Sequence, residues 1–132
     1  MTVLILARTQ ATGLAAAEAA VAAIGQVRGV ILPFPGGIVR SGSKVGSRYK
    51  KLRASTNDAF CPMLRGQVRS QLSEEVGAVY EIVIDGVDLA SVEAATRAGV
   101  RAACRPGIVR ISAGNYGGKL GPFHLRLHQL LA

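Results

Sequence analysis

Tryptophan is absent from this 132-residue sequence, and three Tyr and three Phe are its only other aromatic side chains. Sheet platforms for RNA stack bases on several rings, so nucleic-acid binding of that kind is poorly supplied and no nucleic-acid partner is expected. Cysteine occurs only as Cys61 and Cys104, with no CxxC or Cys/His ligand spacing. That excludes a disulfide framework or zinc finger and fits a reduced cytoplasm. No apolar run reaches the about 20 residues of a spanning helix. Residues 3–7 and 14–24 are interrupted by Arg8, Thr9, Glu18 and Gly25, so no membrane partner is expected. No basic leader precedes the first apolar residues, and a secretory signal is not expected either.

Acid is scarce as well. Eight Asp and Glu stand against sixteen Lys and Arg, a formal charge of +8 that favours anionic partners. Residues 28–57 hold seven bases and no acid, and residues 94–132 hold six more bases and again no acid. The charge is concentrated in two regions.

What is present is a 49% apolar chain, long enough for one core and hardly for two. Val3-Leu4-Ile5-Leu6-Ala7 reads as a buried strand. Residues 11–24 read as an alanine-rich helix with Leu14, Val21 and Ile24 on one face, stopped by Gly25 and Gly29. Val30-Ile31-Leu32 follows as a strand ended by Pro33 and Pro35, completing a β-α-β unit over residues 2–33. The pattern returns with a strand at 79–84, a turn at Asp85-Gly86, a helix over 88–104 and a strand at 108–111. Asp88 is a suitable N-cap, and Arg97, Arg101 and Arg105 gather toward the negative end of the helix dipole.

Two such units predict an α+β class, a single ferredoxin-like lobe over residues 1–132: a split β-α-β sandwich with both helices on one sheet face. Between the units lies a basic, Gly/Ser-rich insertion at about 34–77. Connections beyond roughly 12–15 residues are usually functional or disordered, so this one is expected to carry the site. Its second part, residues 61–72, has room for a short helix after Pro62. In the tail, apolar Phe123, Leu125 and Leu127 alternate with His124, Arg126 and His128, the period of an edge strand.

Within the insertion, residues 35–47 combine Gly36, Gly37, Gly42 and Gly46 with Ser41, Ser43, Ser47, Arg40 and Lys44. Glycines let backbone N–H groups approach an anion, and the bases supply charge. Residues 37–44 read G-x-x-x-x-G-S-K, not the G-x-x-x-x-G-K-[ST] of a triphosphate loop, and no helical pattern follows. An anion cradle and a solvated surface loop both account for the composition. Arg48, Lys50, Lys51 and Arg53, with Tyr49 among them, read as a solvated face or a subunit contact. A second glycine-rich stretch, residues 112–121, offers Asn115, Tyr116 and Lys119 to a carboxylate or a pterin edge; the alternative is a wide turn. Glu81 interrupts an otherwise apolar strand. Buried, a carboxyl there would have its pKa raised by desolvation and could exchange protons near neutrality; otherwise it faces solvent or pairs with an arginine. His124 and His128 lack a third ligand nearby and flank Arg126, which argues against a metal.

The strings at 33–47, 54–57, 60–62, 79–86 and 111–121 together resemble formylmethanofuran:tetrahydromethanopterin formyltransferase, over essentially the whole chain. The resemblance covers only the second half of that family's length. It implies an N-formyltransferase of one-carbon metabolism, acting in methanogenesis or in bacterial formaldehyde oxidation, with coenzymes bound at clefts between lobes and subunits. It implies no tightly bound cofactor or metal, and the coenzymes formylmethanofuran and tetrahydromethanopterin as substrates. Implied partners are a homo-oligomer, an amino-terminal lobe and the other subunits of a formyltransferase/hydrolase complex. The family's proposed catalytic glutamate matches Glu81. Gly36, Gly37, Arg40, Ser41, Ser43, Lys44, Asn115, Tyr116 and Lys119 are the expected substrate-binding residues. The reading from another class is a non-catalytic ferredoxin-like module that binds anions or assembles subunits.

Overall fold

The computed structural model describes residues 1–40, 43–45, 50–51, 54–56, 58–66, 70–114 and 122–132, with backbone only for 43–45 and 54–56. Strand β1 (Thr2–Ala7) is buried along its whole length, because it runs through the middle of the main sheet. Its neighbours are β6 (Ala78–Val83) on one side and β8 (Ile108–Ala113) on the other, with short β3 (Val39–Arg40) beyond β6. All three pairings are antiparallel, giving the order β3-β6-β1-β8.

Pleating sends alternate side chains to opposite faces. Val3 and Ile5 of β1, with Ala78, Tyr80 and Ile82 of β6, form the core beneath the helices α1 (Gln10–Ile24) and α2 (Leu89–Ala103). Leu4, Leu6 and Val79 face the other way and join Val76 in a second apolar cluster. Both helices therefore cover one face, as the repeated pattern predicts.

Helix α1 starts at Thr9, whose Oγ1 accepts from the Thr12 N–H at 3.1 Å, while Thr12 Oγ1 accepts from the Thr9 N–H at 3.4 Å. This reciprocal cap satisfies two donors that the first helical turn leaves open. Ala16, Ala17 and Ala20 keep α1 close to its neighbours, and Ile24 fills the space beside Gly99 of α2. A Cβ on Gly99 would come within 2.8 Å of Ile24 Cδ1, so the glycine sets the approach of the two helices. Helix α2 is capped by Asp88, whose Oδ1 accepts from the Ser91 N–H at 2.7 Å.

Three expectations are corrected. β2 (Val30–Ile31) pairs with β7 (Asp85–Gly86), so Asp85-Gly86 is a strand and not a turn. Gly86 permits this, because a Cβ there would meet Val92 Cγ2 at 2.4 Å. Part of the glycine-rich loop is a ribbon, with β4 (Ser43–Val45) paired to β5 (Ala54–Thr56). The tail forms no edge strand: its residues lead into helix α3 (Leu127–Leu131). Leu127, Leu130 and Leu131 follow the i, i+3, i+4 spacing of one helical face and pack inward, whereas Phe123 is exposed. His124 and His128 therefore do not share a strand face. The short helix expected after Pro62 is a single 3₁₀ turn, Pro62–Leu64. Among the described residues no helix is long and apolar enough to cross a membrane.

Candidate active site

Glu81 is 3% exposed, the one buried charged residue among those described. The strand register explains why. Its cross-strand partners are Leu4 on β1 and Val39 on β3, and Leu4 in turn faces Ser112 on β8. Directly paired residues share a face, so Val39, Glu81, Leu4 and Ser112 form one row across the sheet, on the side away from the helices. This row joins the ends of both glycine-rich segments. Val39 follows the turn at Pro35–Gly37, and Ser112 stands three residues before Asn115.

On that same face the apolar cluster of Leu4, Leu6, Val76 and Val79 is covered by Phe60, Leu72 and Val109. Phe60 and Leu72 of the insertion thus form an apolar wall over the cluster that holds Leu4, the cross-strand partner of Glu81. Asp58–Phe60 forms a 3₁₀ turn. The returning limb, residues 70–76, is tied to it by Gln71 N–H to Ala59 O at 2.9 Å. Arg65, between the two limbs, donates from Nη2 to Ser73 O at 3.1 Å and to Val76 O. Reading the sequence missed Arg65 and this wall. The apolar residues Phe60, Leu72 and Val76 were the available signal, obscured by a segment with no regular period.

The expected substrate-binding residues are placed unevenly. Gly36 has φ +71 and open space around it, as backbone facing a ligand needs. Gly37, at φ +79, is buried, and a Cβ there would lie 2.7 Å from Leu32 Cδ1 and 3.1 Å from Val21 Cγ2, so packing alone demands the glycine. Arg40 is exposed on β3; it pairs with Tyr80 and so stands on the opposite pleat from Glu81. The backbones of Ser43 and Lys44 belong to the β4/β5 ribbon. Ser41, Asn115, Tyr116 and Lys119 lie outside the described residues.

A family model described as the FTR proximal lobe matches residues 1–130. The chain belongs to that family. As an FTR proximal lobe it is 60% identical, over 98% of its length, to formylmethanofuran–tetrahydromethanopterin formyltransferase of Methylococcus capsulatus, covering 45% of that protein. It is 57% identical, over 96% of its length, to the enzyme of the same name from Archaeoglobus fulgidus, covering 43% of that protein. The solved formyltransferase of Methanosarcina barkeri superposes with a TM-score of 0.91 at 50% identity, over 98% of this chain and 44% of that one. A chain of the formyltransferase/hydrolase complex of Methylorubrum extorquens, solved with methylofuran, gives 0.90 at 51% identity, over 99% and 44%. The lobe spans less than half the length of the curated relatives it matches.

Proposed function

We propose that this lobe works in an N-formyltransferase that moves a formyl group between formylmethanofuran and tetrahydromethanopterin, with Glu81 as its proton-transfer group. The observation that carries the reading is a carboxyl held out of water on a central strand, in a row that links the two glycine-rich segments. The relatives' shared name supports the reaction, and because this lobe covers 45% and 43% of two of them, the activity is assigned to an assembly that includes further chain.

In this reading an amine nitrogen of tetrahydromethanopterin attacks the formamide carbon of formylmethanofuran, forming a C–N bond and a tetrahedral oxyanion. Backbone N–H groups beside Gly36 steady that charge. Protonated Glu81 gives its proton to the methanofuran nitrogen as the old C–N bond breaks. The carboxylate then takes the proton that the attacking amine sheds, so the residue ends as it began. Lys44 and Lys119, with Ser41, Ser43, Asn115 and Tyr116, hold the anionic and polar parts of the coenzymes, a positioning role, while Arg40, on the opposite pleat from Glu81, meets only a tail that passes around the β3 edge of the sheet.

The order β3-β6-β1-β8, with both helices on one face, supports a ferredoxin-like sandwich spanning residues 1–132 with its insertion at about 34–77. Catalysis in the cytoplasm, without a tightly bound cofactor, by a homo-oligomer joined to an amino-terminal lobe and hydrolase subunits, completes the proposal.

The test is co-production of this lobe with the amino-terminal half of a relative, followed by a formyl-transfer assay. Glu81→Gln should cut kcat by about 10²- to 10⁴-fold, the usual worth of general acid–base catalysis. Coenzyme KM and the unfolding midpoint should change little. Wild-type turnover in the variant sinks the assignment.

A further inference from the structure

We infer that Arg65 is a positioning residue for the Glu81 site: it ties down the insertion limb whose apolar side chains wall the cluster that holds Leu4, and it fixes where β6 begins. The inference rests on the catalytic reading of Glu81 and concerns a residue whose hydrogen bonds among the described residues go to backbone carbonyls.

Arg65 follows the 3₁₀ turn Pro62–Leu64 and is half-buried. Its Nη2 donates to two carbonyls of the returning limb, Ser73 O and Val76 O, and its Nε is buried without a partner among the described residues. Both donated bonds come from one nitrogen, and its positive charge strengthens bonds to carbonyl oxygens, so an ammonium group carries the same two-acceptor tie. Around it the limb has few other anchors: Gln71 N–H to Ala59 O, Ser70 Oγ to Ala59 O at 3.4 Å, and Gly77 N–H to Ala7 O at 2.9 Å. Residues 70–77 contain no helix or strand whose own ladder would hold them.

The path from this tie to the site is short. The tethered carbonyl belongs to Val76, whose side chain packs with Leu4, Leu6 and Val79. Leu4 is the cross-strand partner of Glu81, and Val79 precedes it by two residues on the same face. β6 starts at Ala78, two residues beyond Val76. Loss of the tie therefore displaces the wall over Leu4 and the strand that carries Glu81, while leaving the helix-side core of Ile5, Ala16 and Val100 untouched.

The experiment uses the assembled formyltransferase with Arg65→Met, Arg65→Lys and Glu81→Gln measured in parallel. Arg65→Met should lower kcat by about 10- to 100-fold, the scale of a displacement of about 1 Å at a reacting group, with both coenzyme KM values held within about 2-fold. Amide exchange at residues 70–77 should accelerate in the same protein. Arg65→Lys keeps charge and donors and should restore most of the rate. A loss expressed chiefly as a KM rise would make Arg65 a coenzyme-binding residue and overturn the inference. So would a wild-type kcat with faster exchange at 70–77, unchanged exchange in Arg65→Met, or failure of Lys to rescue. Should Arg65→Met not accumulate as folded enzyme, Arg65→Lys decides alone, by partial loosening of 70–77 with a matching partial loss of kcat. Wild-type turnover in Glu81→Gln would remove the catalytic reading itself, whatever Arg65 does.

Discussion

Leu4 and Glu81 are direct cross-strand partners, 1% and 3% exposed, on the sheet face that carries no helix. An aliphatic side chain thus forms one side of the carboxyl's surroundings, and its neighbour Ile5 points to the other face, into the core beneath α1 and α2. Truncation at these adjacent positions should separate stability from turnover. Ile5→Ala and Leu4→Ala should each cost about 2–5 kcal/mol in urea unfolding, the range for emptying a buried aliphatic site. Only Leu4→Ala should also depress kcat of the folded, assembled enzyme. Equal kcat in the two variants would detach Leu4 from the site.

Gly77 leads from the insertion into β6, and a Cβ there would sit 2.3 Å from the Arg8 carbonyl oxygen. That neighbour is backbone and cannot rotate aside. Gly77→Ala should destabilise the chain by about 1–3 kcal/mol through forced displacement. Gly36→Ala, whose Cβ would meet nothing within 4 Å, carries only the strain of its positive φ. The two are compared by denaturant midpoint, and a smaller loss at Gly77 than at Gly36 contradicts the packing argument.

Asp88 supplies the pH dependence. Its hydrogen bonds with Ser91 hold the carboxyl below the ordinary value of 3.8. A depressed folded-state pKa means that the contribution is complete above the unfolded value and fades as pH falls through the folded one. Asp88→Asn keeps a cap acceptor but has no proton to gain. Wild type and Asp88→Asn should therefore converge in thermal midpoint as pH drops from 5 toward values below 3.8, as followed by circular dichroism. A gap that widens on acidification reverses the sign and refutes the cap's ionic part.

The five principal elements were legible because each carries a local signal. β1, β6 and β8 are apolar runs of strand length, α1 and α2 have helical spacing, and Asp88 caps where a cap was due. β7 was not legible, since two residues, Asp85 and Gly86, are too few to show a period and read as turn chemistry. Their pairing depends on β2, more than fifty residues earlier in the chain. Glu81 drew notice by breaking an apolar run, but its face was set by register against Leu4 and Val39, which no single strand's pattern contains. The Arg65 tie was hidden for the same reason: its acceptors are backbone carbonyls, and any sequence has those.

The tail gives the sharpest contrast between pattern and packing. Alternation at Phe123, Leu125 and Leu127 matches a strand, and the spacing of Leu127, Leu130 and Leu131 matches a helix; over so few residues the two periods compete. The helix prevails because Leu130 reaches 9% exposure while Phe123 stays 58% exposed, and because Arg97 Nε donates to the Leu130 carbonyl at 3.1 Å, tying α3 to α2. Burial of two or three leucines outweighs the short ladder that a five-residue edge strand would add. Leu130→Ala should therefore cost about 2–3 kcal/mol. Phe123→Ser should stay within about 0.5 kcal/mol, as for surface positions generally. An edge strand packed through Phe123 and Leu125 would give the opposite ranking, so urea midpoints of the two variants decide between the arrangements.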